Sequence, residues 1–244
     1  MRLSYVIPVH NEQSILDETV ARLRARLGEH APCVVFLVEN GSRDDSWKAC
    51  TRLATEERGV DVRALRAPRA GIGYALDLGF REAVALDASP DHWIAFTAAD
   101  LPFGFSDLEE LLSWRLADPS GAAAIGSKDH PRSRVATDWK RRAGSLGYKV
   151  LRRAMLGMRT GDPQGTFFLR ASLLRELLPE IRARNFFYST ELFCLLERRG
   201  IAPHELPVVY EGERRPSSVR FVNDGLTMFG QVFQLRRRLS RSST

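Results

Sequence analysis

The chain has 244 residues, of which 44% are hydrophobic and 27% charged. That balance excludes a disordered or fibrous protein, and the length suffices for a sizeable core in one large domain or two small ones. The formal net charge of +6 suggests an anionic partner: nucleic acid, a phosphorylated substrate or a membrane surface.

Residues 3–9 (LSYVIPV) are too short an apolar run for a helix and read as a buried strand. His10, Asn11 and Glu12 follow, and Ile15, Leu16, Val20, Leu23 and Leu27 then fall at helical spacing. A second buried strand, 33–38 (CVVFLV), ends in the turn-rich cluster Glu39-Asn40-Gly41-Ser42. Asp44 or Asp45 can cap a helix running to about Glu57. A third strand spans 60–65, and Gly71 and Gly73 precede a helix through Leu76, Phe80 and Val84. A fourth strand, 93–96, ends at Thr97-Ala98-Ala99-Asp100. Asp107 starts a helix through Leu111 and Trp114, and small residues at 122–125 make a fifth strand.

Alternating strands and helices with continuously apolar strands imply a parallel sheet covered on both faces. Such sheets bind ligands beyond the carboxyl ends of their strands. Asn11-Glu12, Glu39-Asn40, residues 66–73 and Asp100 all fall at strand ends, so they are expected to converge on one crevice.

The second half has a different rhythm. Residues 138–158 read as a basic helix with Leu146, Val150, Leu151, Ala154 and Met155 on an apolar side. Asp162-Pro163-Gln164-Gly165 is a turn before a short strand at 166–169. Helices follow at 173–178 and 190–199, then a last strand at 205–210. A C-terminal helix carries Leu226, Met228, Phe229, Val232, Phe233 and Leu235. With no repeat and no low-complexity linker, the halves are expected to pack as one unit.

The charge is local. Residues 128–159 hold ten basic side chains against Asp129 and Asp138, a segment of +8, and the last ten residues add four arginines. The remainder is therefore an acidic body of −6. Nucleic-acid binding lacks support, since no helix-turn-helix, zinc finger, RNA-recognition motif or aromatic-basic interleaving is present. Cys33, Cys50 and Cys194 are odd in number and far apart, which argues against a disulfide framework or zinc site and for small core residues in a reducing cytosol. The N-terminus shows no signal-peptide pattern and no apolar run approaches the ~20 residues of a membrane span. The expected location is cytoplasmic, with any membrane contact peripheral, on the inner face.

The stretches 6–12 (VIPVHNE) and 38–46 (VENGSRDDS) and the turn at Asp100 resemble family 2 glycosyltransferases of the GT-A fold. In the second half GSK at 126–128, the spacing of Arg141, Arg142 and Ser145, DPQGTFF at 162–168, STEL at 189–192 and ELPV at 205–208 recur in order. They resemble the dolichol-phosphate mannosyltransferase and polyprenyl-phosphate glucosyltransferase branch. The resemblance extends from Leu3 to about Arg238, and its specificity lies in the order and spacing of the motifs together. It implies a single α/β, Rossmann-like GT-A domain with a mixed, mostly parallel sheet flanked by helices. Within it, residues 1–127 would bind the nucleotide sugar, 128–221 would form the acceptor side, and 222–244 an amphipathic basic helix and tail.

The resemblance implies an inverting transfer from a UDP- or GDP-sugar to an acceptor, above all a polyprenyl or dolichyl phosphate. Pro8, Asn11, Glu12 and Glu39 match the positions that hold the nucleoside, and a carboxylate there can accept from a base N–H or ribose hydroxyls. The structural alternative is that Asn11 and Glu39 only cap helices or stabilise turns. Arg69 and Gly71 match a turn near the nucleotide. The Gly71-Ile72-Gly73 pattern is no dinucleotide fingerprint, because the third glycine position is Leu76 and the motif follows the third strand. A plain turn before a helix is the alternative there. The family's Asp-x-Asp metal motif is here Ala98-Ala99-Asp100, so either Asp100 alone would ligate Mg2+ or Mn2+, together with the donor phosphates, or Arg69 or Lys128 would replace some of the metal's charge.

Lys128, Arg142 and Ser145 match the acceptor's phosphate site, where arginine offers a bidentate fork and serine a hydroxyl. Asp162 and Glu191 match acids on the acceptor side that orient the acceptor or act as base; Glu191 can instead serve its helix dipole. The C-terminal helix can lie on an anionic membrane, reach a membrane-protein partner, or pack on the core. Two other functions stay open: a soluble hydroxyl acceptor on the same fold, and a catalytically weakened nucleotide-binding or scaffold protein, because of Ala98.

Overall fold

The computed structural model describes residues 1–28, 32–56, 58–135, 139–211 and 221–241, with side chains outside 139–145 and 221–229. Glu57 and Asp138, two expected helix ends, lie outside the described residues. The first half alternates as its apolar runs require: β1 (Arg2–Val9), α1 (Gln13–Leu27), β2 (Cys33–Glu39), α2 (Ser46–Ala54), β3 (Asp61–Arg66), α3 (Ile72–Leu86), β4 (His92–Phe96), α4 (Ser106–Ala117) and β5 (Ala123–Ser127). The second half holds α5 (Trp139–Leu156), β6 (Phe167–Arg170), α6 (Ala171–Leu177), α7 (Phe187–Arg198), β7 (His204–Pro207) and α8 (Phe221–Arg241).

The strands form one sheet in the order β3-β2-β1-β4-β6-β5-β7. Every neighbour pair is parallel except those made by β6, which runs antiparallel to both β4 and β5. The sheet is thus mixed and mostly parallel, as expected. The last strand is shorter than expected. It stops at Pro207, which has no N–H to donate, and Val209 makes only an isolated bridge to Arg134.

Side-chain alternation divides the core in two. Val6, Val34, Phe36, Val38, Ile94, Phe96 and Phe167 face one side, against residues of α3, α6, α7 and α8. Tyr5, Ile7, Val35, Leu37, Trp93, Ala95 and Phe168 face the other, against α1, α2 and α4. Gly79 of α3 makes the close helix–sheet approach feasible, since a Cβ there would lie 2.4 Å from a Val6 methyl. The three cysteines are free and buried in this core.

The C-terminal helix takes the core-packing option. Val232, Leu235 and Leu239 of α8 are buried in the core, and Arg238 pairs with the buried carboxylate of Glu191 in α7. Gln231 and Asn185 exchange amide hydrogen bonds of 3.1 and 3.2 Å. Of the apolar residues read from the sequence, Val232 and Leu235 are thus spent on the protein itself, while Phe233 is exposed. Leu226, Met228 and Phe229 fall among the side chains outside the description. Among the described residues, no helix is long and apolar enough to cross a membrane.

Candidate active site

The parallel strands end on one edge of the sheet, where antiparallel β6 begins. Strand order reverses at β1, which has β2 on one side and β4 on the other. A crevice is expected outside the carboxyl ends at such a point. Two non-glycine residues with positive φ, Asn11 (56°) and Leu101 (48°), lie just past the ends of β1 and β4. Asparagine tolerates this region, whereas leucine is strained there. Strain of this kind concentrates at functional sites.

The ends of β1 and β2 are tied together by Asn40. Its Nδ2 donates to the Val9 carbonyl at 2.9 Å, and its Oδ1 accepts the Gly71 N–H at 3.3 Å. One amide thereby joins the ends of β1 and β2 to the start of α3. Asn11 Oδ1 accepts the Arg43 N–H at 2.8 Å, and the Glu12 N–H reaches Ser46 Oγ at 2.8 Å. Pro8 is half-buried, Glu12 buried and Arg69 exposed. Glu39 is buried, with one carboxylate oxygen on the Ser42 N–H and the other 3.0 Å from Arg66 Nε. Glycine is required at the start of α3. Gly71 has φ 134°, and a Cβ on Gly73 would come within 2.3–2.7 Å of the Arg184–Asn185 backbone.

Past β4 the chain turns at once. The Leu101 N–H closes the turn on the Ala98 carbonyl at 3.1 Å, and Thr19 Oγ1 holds the Ala99 carbonyl at 2.6 Å. Asp100 is half-buried on this turn. Among the described residues, no three His, Cys, Asp or Glu side chains are grouped to hold a metal ion. One carboxylate is no protein cage. It fits an Mg2+ or Mn2+ ion that takes its other ligands from substrate phosphates and water.

At the end of β5, Lys128 places its ammonium 4.9 Å from the Tyr210 ring centroid and 5.7 Å from that of Phe103. It forms no ion pair with the described residues, so aromatic faces hold it and its charge stays available for an anion. The turn 162–165 lies against the same strand end: the Gly126 N–H donates to the Thr166 carbonyl at 2.9 Å, and a Cβ on Gly165 would lie 2.6 Å from the Gly126 carbonyl. Asp162 is half-buried there, and its Oδ1 accepts the Gln164 N–H at 3.2 Å. Arg142 and Ser145 belong to α5, but their side chains lie outside the description.

Glu191 is placed differently from Asp162. One oxygen accepts the N–H groups of Arg182 and Ala183 at 3.1 and 2.7 Å, and the other pairs with Arg238. It also lies beyond the first turn of α7, so the helix-dipole alternative does not describe it.

Several residues here were not singled out from sequence. Asp107 is buried in α4 and accepts from the Thr166 hydroxyl; burial pushes its carboxyl up to about 6, against hydrogen bonds that pull it down. Arg66, Arg152, Glu197 and Ser127 also organise the site loops. From sequence Arg66 fell in the 66–73 cluster, Ser127 in the GSK motif, Arg152 in the basic segment and Asp107 at a helix start, and none of these patterns names a partner.

The Glycosyl transferase family 2 model matches residues 4–178, more than half of the chain. Solved structures of glucosyl-3-phosphoglycerate synthase from Mycobacterium tuberculosis share the fold. One, holding Mn2+, UDP-glucose and phosphoglyceric acid, has 18% identity and a TM-score of 0.66 over 96% of this chain and 78% of that one. Another, holding Mg2+ and UDP, has 18% identity and a TM-score of 0.65 over 96% and 77%. No curated protein sequence matches the chain. The sheet order, the strand-end motifs and the family match together make this chain a glycosyltransferase of family 2 with the GT-A fold.

Proposed function

We propose that the chain transfers a hexosyl unit, with inversion, from a nucleotide-diphosphate sugar to a phosphate-bearing acceptor, foremost a polyprenyl phosphate. The observation that carries this reading is Lys128: a cation set between two aromatic rings at the sheet edge, beside the Asp162 turn. Pro8, Asn11, Glu12, Glu39, Arg69 and Gly71 hold the donor, while Lys128, Arg142 and Ser145 take the acceptor phosphate. A phosphate oxygen attacks the anomeric carbon as the bond to the diphosphate breaks, and the nucleoside diphosphate leaves. A phosphate is already anionic at neutral pH, so it needs no general base. Asp100 holds the divalent ion, which when bound offsets charge on the leaving diphosphate. Asp162 orients the acceptor, and Glu191 supports that side through its neighbouring loop.

A second reading is a soluble phosphorylated acceptor that attacks through a hydroxyl. The structural likeness to the phosphoglycerate synthase favours it. A hydroxyl nucleophile needs a base, and half-buried Asp162 would take that role.

A bilayer contact fits the first reading. It would not use the buried Val232, Leu235 and Leu239 of α8 but Leu146 and Val150 of α5, which are 62% and 59% exposed, and Phe233 of α8 at 49%. Exposed Arg153, Arg236, Arg237 and Arg241 on the same two helices suit anionic headgroups.

The donor role is tested by thermal shift with UDP, GDP and their sugars, with and without Mg2+ or Mn2+. A nucleotide should raise the melting temperature more when metal is present, and Asp100→Ala should remove that increment alone. An increment that survives Asp100→Ala removes Asp100 from the metal site.

A further inference from the structure

Residues 159–161, between α5 and the Asp162 turn, belong to neither a helix nor a strand. Backbone polar groups in such a segment need partners, and here charged side chains supply them. Glu197 of α7 accepts the Arg159 N–H at 2.8 Å with one oxygen. Its other oxygen accepts the Thr160 N–H at 2.8 Å and also the Thr160 hydroxyl. Glu205 of β7 accepts the Gly161 N–H at 3.1 Å. Arg152 of α5 donates to the Thr160 and Gly161 carbonyls at 3.2 and 2.8 Å. The preceding helix α5 and the later elements α7 and β7 therefore grip three consecutive residues.

Arg152 is an unusual member of this set. It is 2% exposed and forms no ion pair with a carboxylate of the described residues. Its guanidinium lies 5.0 Å from the Tyr148 ring centroid, and the Tyr148 hydroxyl is 3.1 Å from Thr190 Oγ1 of α7. Burying a cation is costly, and the Tyr148 ring, the two carbonyls and the nearby carboxylates of Asp162, Glu197 and Asp129 offset that cost here. A neutral side chain of the same volume would lack the fork geometry by which one planar group fixes two successive carbonyls.

The grip also reaches the other side of the site. The second oxygen of Glu205 accepts the Ser127 hydroxyl at 2.8 Å, and Ser127 directly precedes Lys128. A Cβ on Gly161 would lie 3.4 Å from Asp129 Oδ2 and 3.2 Å from Glu205 Oε1, so the segment packs directly on this strand end.

We infer that Arg152, Glu197 and Glu205 are positioning residues. They hold the 159–161 segment rigid and so fix Asp162 relative to Lys128, the acid and the cation of the acceptor side. The inference rests on the proposed acceptor role of those two residues. Its prediction is specific: loosening the grip impairs acceptor use and leaves donor binding intact.

The test compares Arg152→Met, Arg152→Lys and Glu205→Gln with the unaltered protein. Hydrogen exchange at the amides of residues 159–161 reports the grip directly and does not depend on activity. Release of nucleoside diphosphate from UDP-glucose or GDP-mannose, with varied polyprenyl phosphate, reports acceptor use. Arg152→Met should speed exchange at those amides and lower kcat/KM for the acceptor by about tenfold or more, with nucleotide affinity changed less than about twofold. Arg152→Lys keeps the charge but loses the fork and should fall between. Glu205→Gln keeps an acceptor oxygen and serves if Arg152→Met does not fold. Unchanged exchange in the folded variants, or equal losses for donor and acceptor, overturns the inference. Asp162→Asn is measured in parallel. If it leaves transfer unchanged while Arg152→Met does not, the role given to Asp162 falls and the grip stands.

Discussion

Asp107 shows how one buried carboxyl ties site geometry to pH. It bonds the Thr166 hydroxyl and the Leu108 N–H, and burial still raises it to about 6. An unfolded aspartate titrates near ~3.9, so the unfolded chain releases this proton first. The resulting stabilisation is complete below that value and is lost as pH rises through about 6. A shift of about two units corresponds to ~3 kcal/mol at most. Asp107→Asn surrenders one acceptor at every pH but carries no charge. Its melting temperature relative to the unaltered protein should therefore rise by several degrees between pH 5 and pH 8. Parallel melting curves over that range would show that Asp107 is not the group responsible. Glu191 illustrates the opposite arrangement, a buried carboxylate compensated by two amides and an arginine.

At the scale of elements, α8 is a brace. It secures the loop after α6 through Gln231–Asn185 and Arg238–Glu191, and that loop's Arg184 backbone packs on Gly71 and Gly73 at the start of α3. Arg238→Ala leaves the Glu191 charge buried without its partner and should cost about 3 kcal/mol, read as a lower melting temperature. Adding Glu191→Gln should recover part of the loss; no recovery would mean that Arg238 acts through packing alone. The strands were legible because runs such as 33–38 are continuously apolar, and the strand-end polar clusters followed from the same pattern. The site loops were only partly legible. Asn40 was visible as a turn residue, but its bridging of three elements depends on strand order, which periodicity does not contain. Arg152 read as one of many surface arginines, because the +8 segment gives no sign of which cation faces inward. The apolar residues of α8 suited a membrane and a core equally well, and only the packing showed that Val232, Leu235 and Leu239 are buried while Phe233 is exposed.

For the whole molecule, the net charge of +6 divides into an acidic body and two basic segments. The larger segment includes Lys128 and α5, and the smaller ends α8. Exposed Leu146, Val150 and Phe233 lie on these same helices. Binding to vesicles containing phosphatidylglycerol should therefore weaken with salt and fall further in Leu146→Glu with Val150→Glu. Binding that is unaffected by both changes would place any membrane contact elsewhere. The central claim is transfer from a nucleotide sugar at the edge that carries Asp100, Lys128 and Asp162. Its most direct measurement is the release of nucleoside diphosphate from UDP-glucose and GDP-mannose in Mg2+ or Mn2+, with polyprenyl phosphate or 3-phosphoglycerate as acceptor. Release should require one of these acceptors and fall by about a hundredfold or more in Asp100→Asn. No acceptor-dependent release from either donor, together with nucleotide binding indifferent to metal, would contradict it and leave a binding protein on a glycosyltransferase fold.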